Sequence, residues 1–256
     1  DLDAPAEAGT VELGEYTHDI ALDPYAGRLF VAQDVAKQVS IYQLSPPTGD
    51  AVPEPGLLAV IDMTTAPRFL RVDPLRHRLF VVADLPPDED MLGWMKLHIF
   101  DVAEPSAPMA LGVHDVPATV SLDLDPLAGV LFLVGLTVDR LYLFDVAAGG
   151  LDPIPGDPID LRALYPQENN TGFQARNLTV DPWRGRVLAA RSQGALSEVI
   201  ALQYAPAIPA APGDCPPRPD HDALAMVPDG FDVDVPVEDR PNLLDAYAAL
   251  PDLLTG

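Results

Sequence analysis

Four stretches of the chain repeat one pattern, and this self-similarity restricts the fold more than any other feature of the sequence. They span residues 20–31 (IALDPYAGRLFV), 70–81 (LRVDPLRHRLFV), 122–133 (LDLDPLAGVLFL) and 178–189 (LTVDPWRGRVLA). Each runs from alternating apolar positions into Asp-Pro, passes a short turn, and continues into a β-branched or aromatic run. The aspartates stand at Asp23, Asp73, Asp125 and Asp181, giving spacings of 50, 52 and 56 residues. A period of this size marks a solenoid, a propeller or an array, in which each unit buries its apolar face against a neighbour.

Each unit reads as four strands. A short apolar strand enters the Asp-Pro turn, where Pro holds φ and the Asp side chain caps the backbone. The second strand follows at once, as in 28–31. Third strands are expected at 39–44, 97–102, 141–146 and 198–204, and fourth strands at 57–62, 109–113 and 159–164. Helical periodicity is missing throughout, and 29 prolines with 18 glycines suit a chain full of turns. Four antiparallel strands in about 50 residues make a propeller blade. The expected fold is therefore an all-β propeller of four-stranded antiparallel blades, with four blades visible.

Residues 1–204 hold the blades. Residues 205–256 read as a proline-rich, acidic tail or an incomplete further blade, since the prolines at 206, 209, 212, 216, 217 and 219 lack the N–H that a central strand must donate. Residues 10–16 resemble a fourth strand with no first three before it. In a closed ring of four blades that strand would complete the last blade and hide both raw edges. The alternative is that the blades belong to a larger ring, within the usual range of about 4–8. The opening Asp1-Leu2-Asp3-Ala4-Pro5 has neither an initiator Met nor a signal sequence, as in a processed form or a piece of a longer chain.

The run APRFLRVDP at 66–74, followed by RLFVV at 78–82, is similar to the YVTN and lactonase-like seven-bladed propellers. The run LHIFDVAEPSAP at 97–108, continued by LGV at 111–113, resembles the LVIVD repeats of bacterial surface proteins. Together the resemblance covers about residues 10–204 and implies a propeller. It leaves activity open, because such blades carry many functions. The number of blades and the tail depart from the family pattern.

Composition narrows the partners. Fifteen basic residues against 39 acidic ones leave a net charge of −24, which argues against nucleic acid and against anionic lipid. No apolar run reaches the ~18 residues of a membrane-spanning helix. Lys37 and Lys96 are the only lysines, and an acidic, lysine-poor chain suits saline surroundings. The expected location is extracellular, periplasmic or the cell surface. The lone Cys215 excludes an internal disulfide and a Cys-based zinc site.

Signatures of catalysis are missing: there is no G-x-S-x-G, H-E-x-x-H, phosphate-binding glycine loop or C-x-x-C. No cofactor is expected. The acidic stretches 84–90 and 229–234 lack EF-hand spacing and read as solvated loops, so no metal is expected either. Blade geometry is more informative, because first strands line the central channel. Five residues before each repeat aspartate stand His18, Arg68, Val120 and Arg176; four before stand Asp19, Phe69, Ser121 and Asn177. Loops after the second strands add Gln33, Asp34, Asp84, Arg191 and Gln193 at the same mouth.

The candidate ligand-binding set is thus His18, Asp19, Gln33, Asp34, Arg68, Asp84, Arg176, Asn177 and Arg191. Either the arginines pair with neighbouring aspartates and neutralise an acidic rim, or they converge on a small-molecule site. The first reading of function is a binding scaffold that presents its channel face to a protein, a glycan or a small anionic ligand. The alternative is a lactonase-like hydrolase, with His18 or Asp19 as base and Arg68 and Arg176 holding the oxyanion. The missing catalytic signatures favour the scaffold.

Overall fold

The structure is a computed structural model that describes residues 13, 16–44, 55–86, 93–136, 139–153, 158–161, 174–182, 184–193 and 196–204, with backbone alone for 153, 174–176, 191–193 and 196–198. The first blade is the meander β1 (Thr17–Asp23), β2 (Arg28–Gln33), β3 (Gln38–Gln43) and β4 (Gly56–Asp62). The second repeats it with β5 (Pro67–Asp73), β6 (Arg78–Ala83), β7 (Trp94–Asp101) and β8 (Met109–Pro117). The third has β9 (Thr119–Asp125), β10 (Val130–Gly135) and β11 (Arg140–Asp145), and the fourth β14 (Gln174–Asp181), β15 (Arg186–Gln193) and β16 (Leu196–Gln203).

The outer edge of the third blade differs from the strand expected at 159–164. Two short pairings, β12 (Asp152–Pro153) and β13 (Ile159–Asp160), both lie on β11. Pro153 and Pro158 have no N–H to give to a ladder, which weakens this edge. The expected strand at 10–16 and the tail 205–256 fall outside the described residues, except for Leu13 and Tyr16. Both of these touch the first blade: the Leu13 carbonyl accepts from Gln33 Nε2 (2.6 Å), and the Tyr16 carbonyl from the Asp34 N–H (3.4 Å).

The Asp-Pro turns share one hydrogen-bond scheme. Asp23 Oδ1 accepts from the N–H groups of Tyr25 and Ala26, both at 3.0 Å. Asp73 does so from Leu75 and Arg76 (2.9 and 3.1 Å), Asp125 from Leu127 and Ala128 (2.8 and 2.9 Å), and Asp181 from Arg184 (3.2 Å). Four residues past each aspartate the backbone turns left-handed, at Gly27 (φ 61°), His77 (53°), Gly129 (68°) and Gly185 (58°). Glycine takes this conformation freely; His77 carries the strain of a Cβ.

The second and third blades bury both faces, which is why second strands such as RLFVVA are almost wholly apolar. Phe30, Val39 and Ile41 of the first blade meet Leu70, Leu79 and Val81 of the second. Phe80, Leu97 and Ile99 meet Leu122, Leu131 and Leu133 of the third, and Phe132 and Leu141 meet Leu178, Val187 and Ile200 of the fourth. Each such side chain contributes about 1.5–3 kcal/mol on burial. The innermost strands stack β1 on β5, β5 on β9 and β9 on β14. Among the described residues the four blades pack in series around three cores.

Candidate functional site at the channel

One backbone irregularity recurs at the mouth of the channel. The ladder between first and second strands slips by one residue between Thr17 and Asp19, between Pro67 and Phe69, opposite Val134 and Gly135 in the third blade, and between Ala175 and Asn177. The residues left over are His18, Arg68, Val120 and Arg176, the four positions aligned from the repeat. A bulge turns its extra side chain away from the regular alternation. Equivalent sequence positions thus become equivalent bulges.

At the second blade the bulge aims Arg68 along the rim. Its guanidinium grips Asp84, with Nε at 3.1 and 3.0 Å from the two carboxylate oxygens and Nη2 at 2.6 Å from Oδ2. Nη1 reaches Asp34 of the first blade at 3.1 Å. The hydrogen bond donated to Asp84, with the charges of both aspartates, holds the Arg68 pKa above its already high ordinary value, against the opposing effect of partial burial. His18 sits across the same junction. Its Nδ1 lies 2.7 Å from the Arg68 carbonyl, so that nitrogen carries a proton and only Nε2 could act as a base. The ring stands edge-on to Phe69 with centroids 5.8 Å apart.

Asp19 and Asn177 knit neighbouring blades together. Asp19 Oδ2 accepts from the Leu70 N–H (2.8 Å) while Oδ1 accepts from the Ile20 N–H (2.9 Å). Ser121, at the position of Asp19, accepts from the Leu178 N–H (3.0 Å) and donates to Asn177 Oδ1 (3.0 Å). Gln33 is buried, accepting from Gln38 (2.7 Å) and from Ser40 (2.8 Å). The backbones of Arg176 and Arg191 lie in β14 and β15, and their side chains are outside the described residues, as is that of Gln193.

A cavity of about 510 Å³ lies deeper, walled by β1, β5 and β9 and floored by Pro24, Pro74, Pro126 and Pro182 of the four turns. Of the predicted residues only Asp19 lines it. Its charged centre is Arg71, which spans from Asp19 Oδ2 (3.3 Å) to Asp123 Oδ1 (2.9 Å), while Asp123 Oδ2 accepts from the Val180 N–H (2.7 Å). Sequence reading missed this cluster. The signal was present: two residues before the repeat aspartates stand Ala21, Arg71, Asp123 and Thr179, so opposite charges occupy one register position on adjacent blades. Among the described residues no group of three or more His, Cys, Asp or Glu side chains is arranged to hold a metal.

No protein-family model matches the chain, and no curated protein matches it. Solved structures do. The chain is similar to the periplasmic gluconolactonase of Pseudomonas aeruginosa, at 16% identity over 75% of this chain and 51% of that one, with a TM-score of 0.54. It is similar to a functionally unknown protein of Desulfotomaculum acetoxidans, at 13% identity over 75% and 58%, with a TM-score of 0.52. It is also similar to hydrazine synthase of Kuenenia stuttgartiensis, at 11% identity over 76% and 53%, with a TM-score of 0.52. The chain folds as a β-propeller. At these identities the likeness extends to the fold alone, lactonase-like propellers included, and the YVTN and LVIVD repeats are matched by no family model. The propeller spans a little over half the length of these structures, 51–58%.

Proposed function

We propose that this propeller is a binding scaffold of the secreted or cell-surface kind, which offers its channel mouth to a glycan or a protein. The observation that carries the reading is the closure of the rim charges on one another: Arg68 is held by Asp84 and Asp34. A guanidinium already paired in this way is a poor holder of a developing oxyanion and a poor receptor for a small anion. A net charge of −24 further disfavours anions. What the rim still offers is the exposed His18 ring beside Phe69, an apolar surface with one polar tip.

The likeness to a periplasmic gluconolactonase supports a second reading, lactone hydrolysis at the same mouth with His18 Nε2 or Asp19 as base and Arg68 and Arg176 as oxyanion holders. Asp19 is poorly placed for it, since both its oxygens are hydrogen-bonded to backbone or to Arg71. Calorimetric titration with a panel of neutral oligosaccharides, with gluconate and with gluconolactone tests the two readings. The scaffold reading expects a neutral glycan to bind and His18→Ala to weaken it, with gluconate no tighter than about 1 mM. Lactone opening above the spontaneous rate, lost in an Arg68→Ala, Arg176→Ala double variant, would replace the scaffold by the hydrolase.

A further inference from the structure

We infer that the cavity around Arg71 is a binding site for a small, neutral, hydroxyl-rich molecule of pyranose size, separate from the channel mouth. The repeat register sets its residues apart. Three residues before the repeat aspartates stand Ile20, Leu70, Leu122 and Leu178, and one residue before them Leu22, Val72, Leu124 and Val180, apolar throughout. These positions serve the fold and repeat with it. The position between them does not repeat: it holds Ala21, Arg71, Asp123 and Thr179. Ala21, Arg71 and Asp123 all line the cavity. Variation at a channel-lining position of an otherwise constant scaffold marks chemistry that the scaffold itself does not require.

That chemistry is an acceptor, a donor and an acceptor in a row. Arg71 Nε donates to Asp123 Oδ1 at 2.9 Å, and Nη1 donates to Asp19 Oδ2 at 3.3 Å and to the Leu70 carbonyl at 2.5 Å. A guanidinium has five N–H groups, and the two on Nη2 have no partner among the described residues. The carboxylates keep acceptor capacity as well. Asp123 takes one bond on each oxygen, from Arg71 and from the Val180 N–H, where about four sites exist. Spare donors therefore stand beside spare acceptors. An anion placed here meets Asp19 and Asp123, and a cation meets Arg71. A hydroxyl group carries no charge and can accept from Nη2 while donating to Asp123.

The walls suit the carbon face of such a ligand. Two residues after the repeat aspartates come Tyr25, Leu75, Leu127 and Trp183, the last outside the described residues. Turn tips ordinarily take small polar residues, yet Tyr25 is 63% and Leu75 37% exposed. Tyr25, Leu75 and Leu127 line the cavity beside the turn prolines and make an apolar collar around the charged centre. Polar groups converging within apolar walls, in about 510 Å³, fit the ~300–1,000 Å³ of ligand pockets. The groups used stand on β1, β5, β9 and the turns that follow them. These strands already pack side by side, so the site is in place whatever stands beyond them.

Saturation-transfer NMR and calorimetric titration with methyl glucoside, methyl galactoside, methyl mannoside and inositol test the inference, with glucosamine and glucuronate as charged counterparts. At least one neutral probe should bind with a Kd of about 1 mM or tighter, and about tenfold more tightly than either charged counterpart. Arg71→Lys keeps the charge between the aspartates but loses the planar fork, and should weaken binding about tenfold. Tyr25→Ala should weaken it about threefold or more at an unchanged urea midpoint, since this side chain is exposed. His18→Ala should leave this binding untouched, because His18 does not line the cavity. No binding of any neutral probe at about 10 mM, a charged counterpart bound as tightly, or binding that survives Arg71→Lys or Tyr25→Ala undiminished would each overturn the inference. Binding weakened by His18→Ala would also overturn it, and would move the sugar to the mouth in support of the scaffold reading.

Discussion

Arg68 embraces Asp84 with three N–H···O contacts between 2.6 and 3.1 Å and still reaches Asp34 of the neighbouring blade. The contacts lock the rim of two blades together. Arg68→Ala should cost about 1 kcal/mol, since the groups are partly exposed and Asp34 and Asp84 are left to repel each other. Denaturant unfolding at low and high salt checks this: the loss should shrink as salt rises. Affinity for added carboxylates should not change.

Tyr204 ends the last third strand and donates its hydroxyl to Asp125 Oδ2 at 2.5 Å, across 79 residues of sequence. Asp125 is fully buried, so Tyr204→Phe leaves an unmatched carboxylate oxygen and should cost about 2 kcal/mol in urea unfolding. Burial first, then the Asp125 hydrogen bond, pushes the Tyr204 phenol far above its ordinary range. The folded state therefore keeps this proton while the unfolded chain loses it above about pH 10. Wild-type stability should fall as pH rises past that point, and the Phe variant should lack this component.

His98 packs parallel to Phe100 with centroids 6.2 Å apart. Burial, aided by the nearby Lys96 charge, lowers its pKa. The unfolded chain takes up a proton at this residue near pH 6.5 while the folded state resists it. The corresponding stability is present above that pH and declines as pH drops below it. Replacing His98 with Gln should flatten the acid side of the stability profile, and an NMR titration of the imidazole should give a value below that of a free histidine.

His77 holds a left-handed backbone at the turn position where the other three blades have glycine. The strain of the left-handed conformation is about 1–2 kcal/mol, against roughly 0.5–1 kcal/mol of added chain entropy for glycine. His77→Gly should raise stability by about 0.5–1 kcal/mol, readable as a higher urea midpoint with the slope unchanged.

The blades themselves were legible in the sequence because their hydrogen bonds are local and repeated. An aspartate that caps its own turn, a proline that holds φ, a left-handed residue four places on and a period of two along each strand need no distant partner. The same register placed His18, Arg68, Val120 and Arg176 at one height. It could not show that each is a bulge, because a bulge is a property of a pairing between two strands. Longer-range choices were decided by the tertiary structure: Arg71 spanning Asp19 and Asp123, Tyr204 reaching Asp125, and Arg68 turning to Asp84. Each depends on which blade stands beside which and on the direction a displaced side chain takes. The sequence by itself determined the repeating unit, through interactions contained within that unit. Only the tertiary structure decided which blade packs on which and left Ile20 and Val199 exposed, because packing between units is set by neighbours that no single repeat encodes.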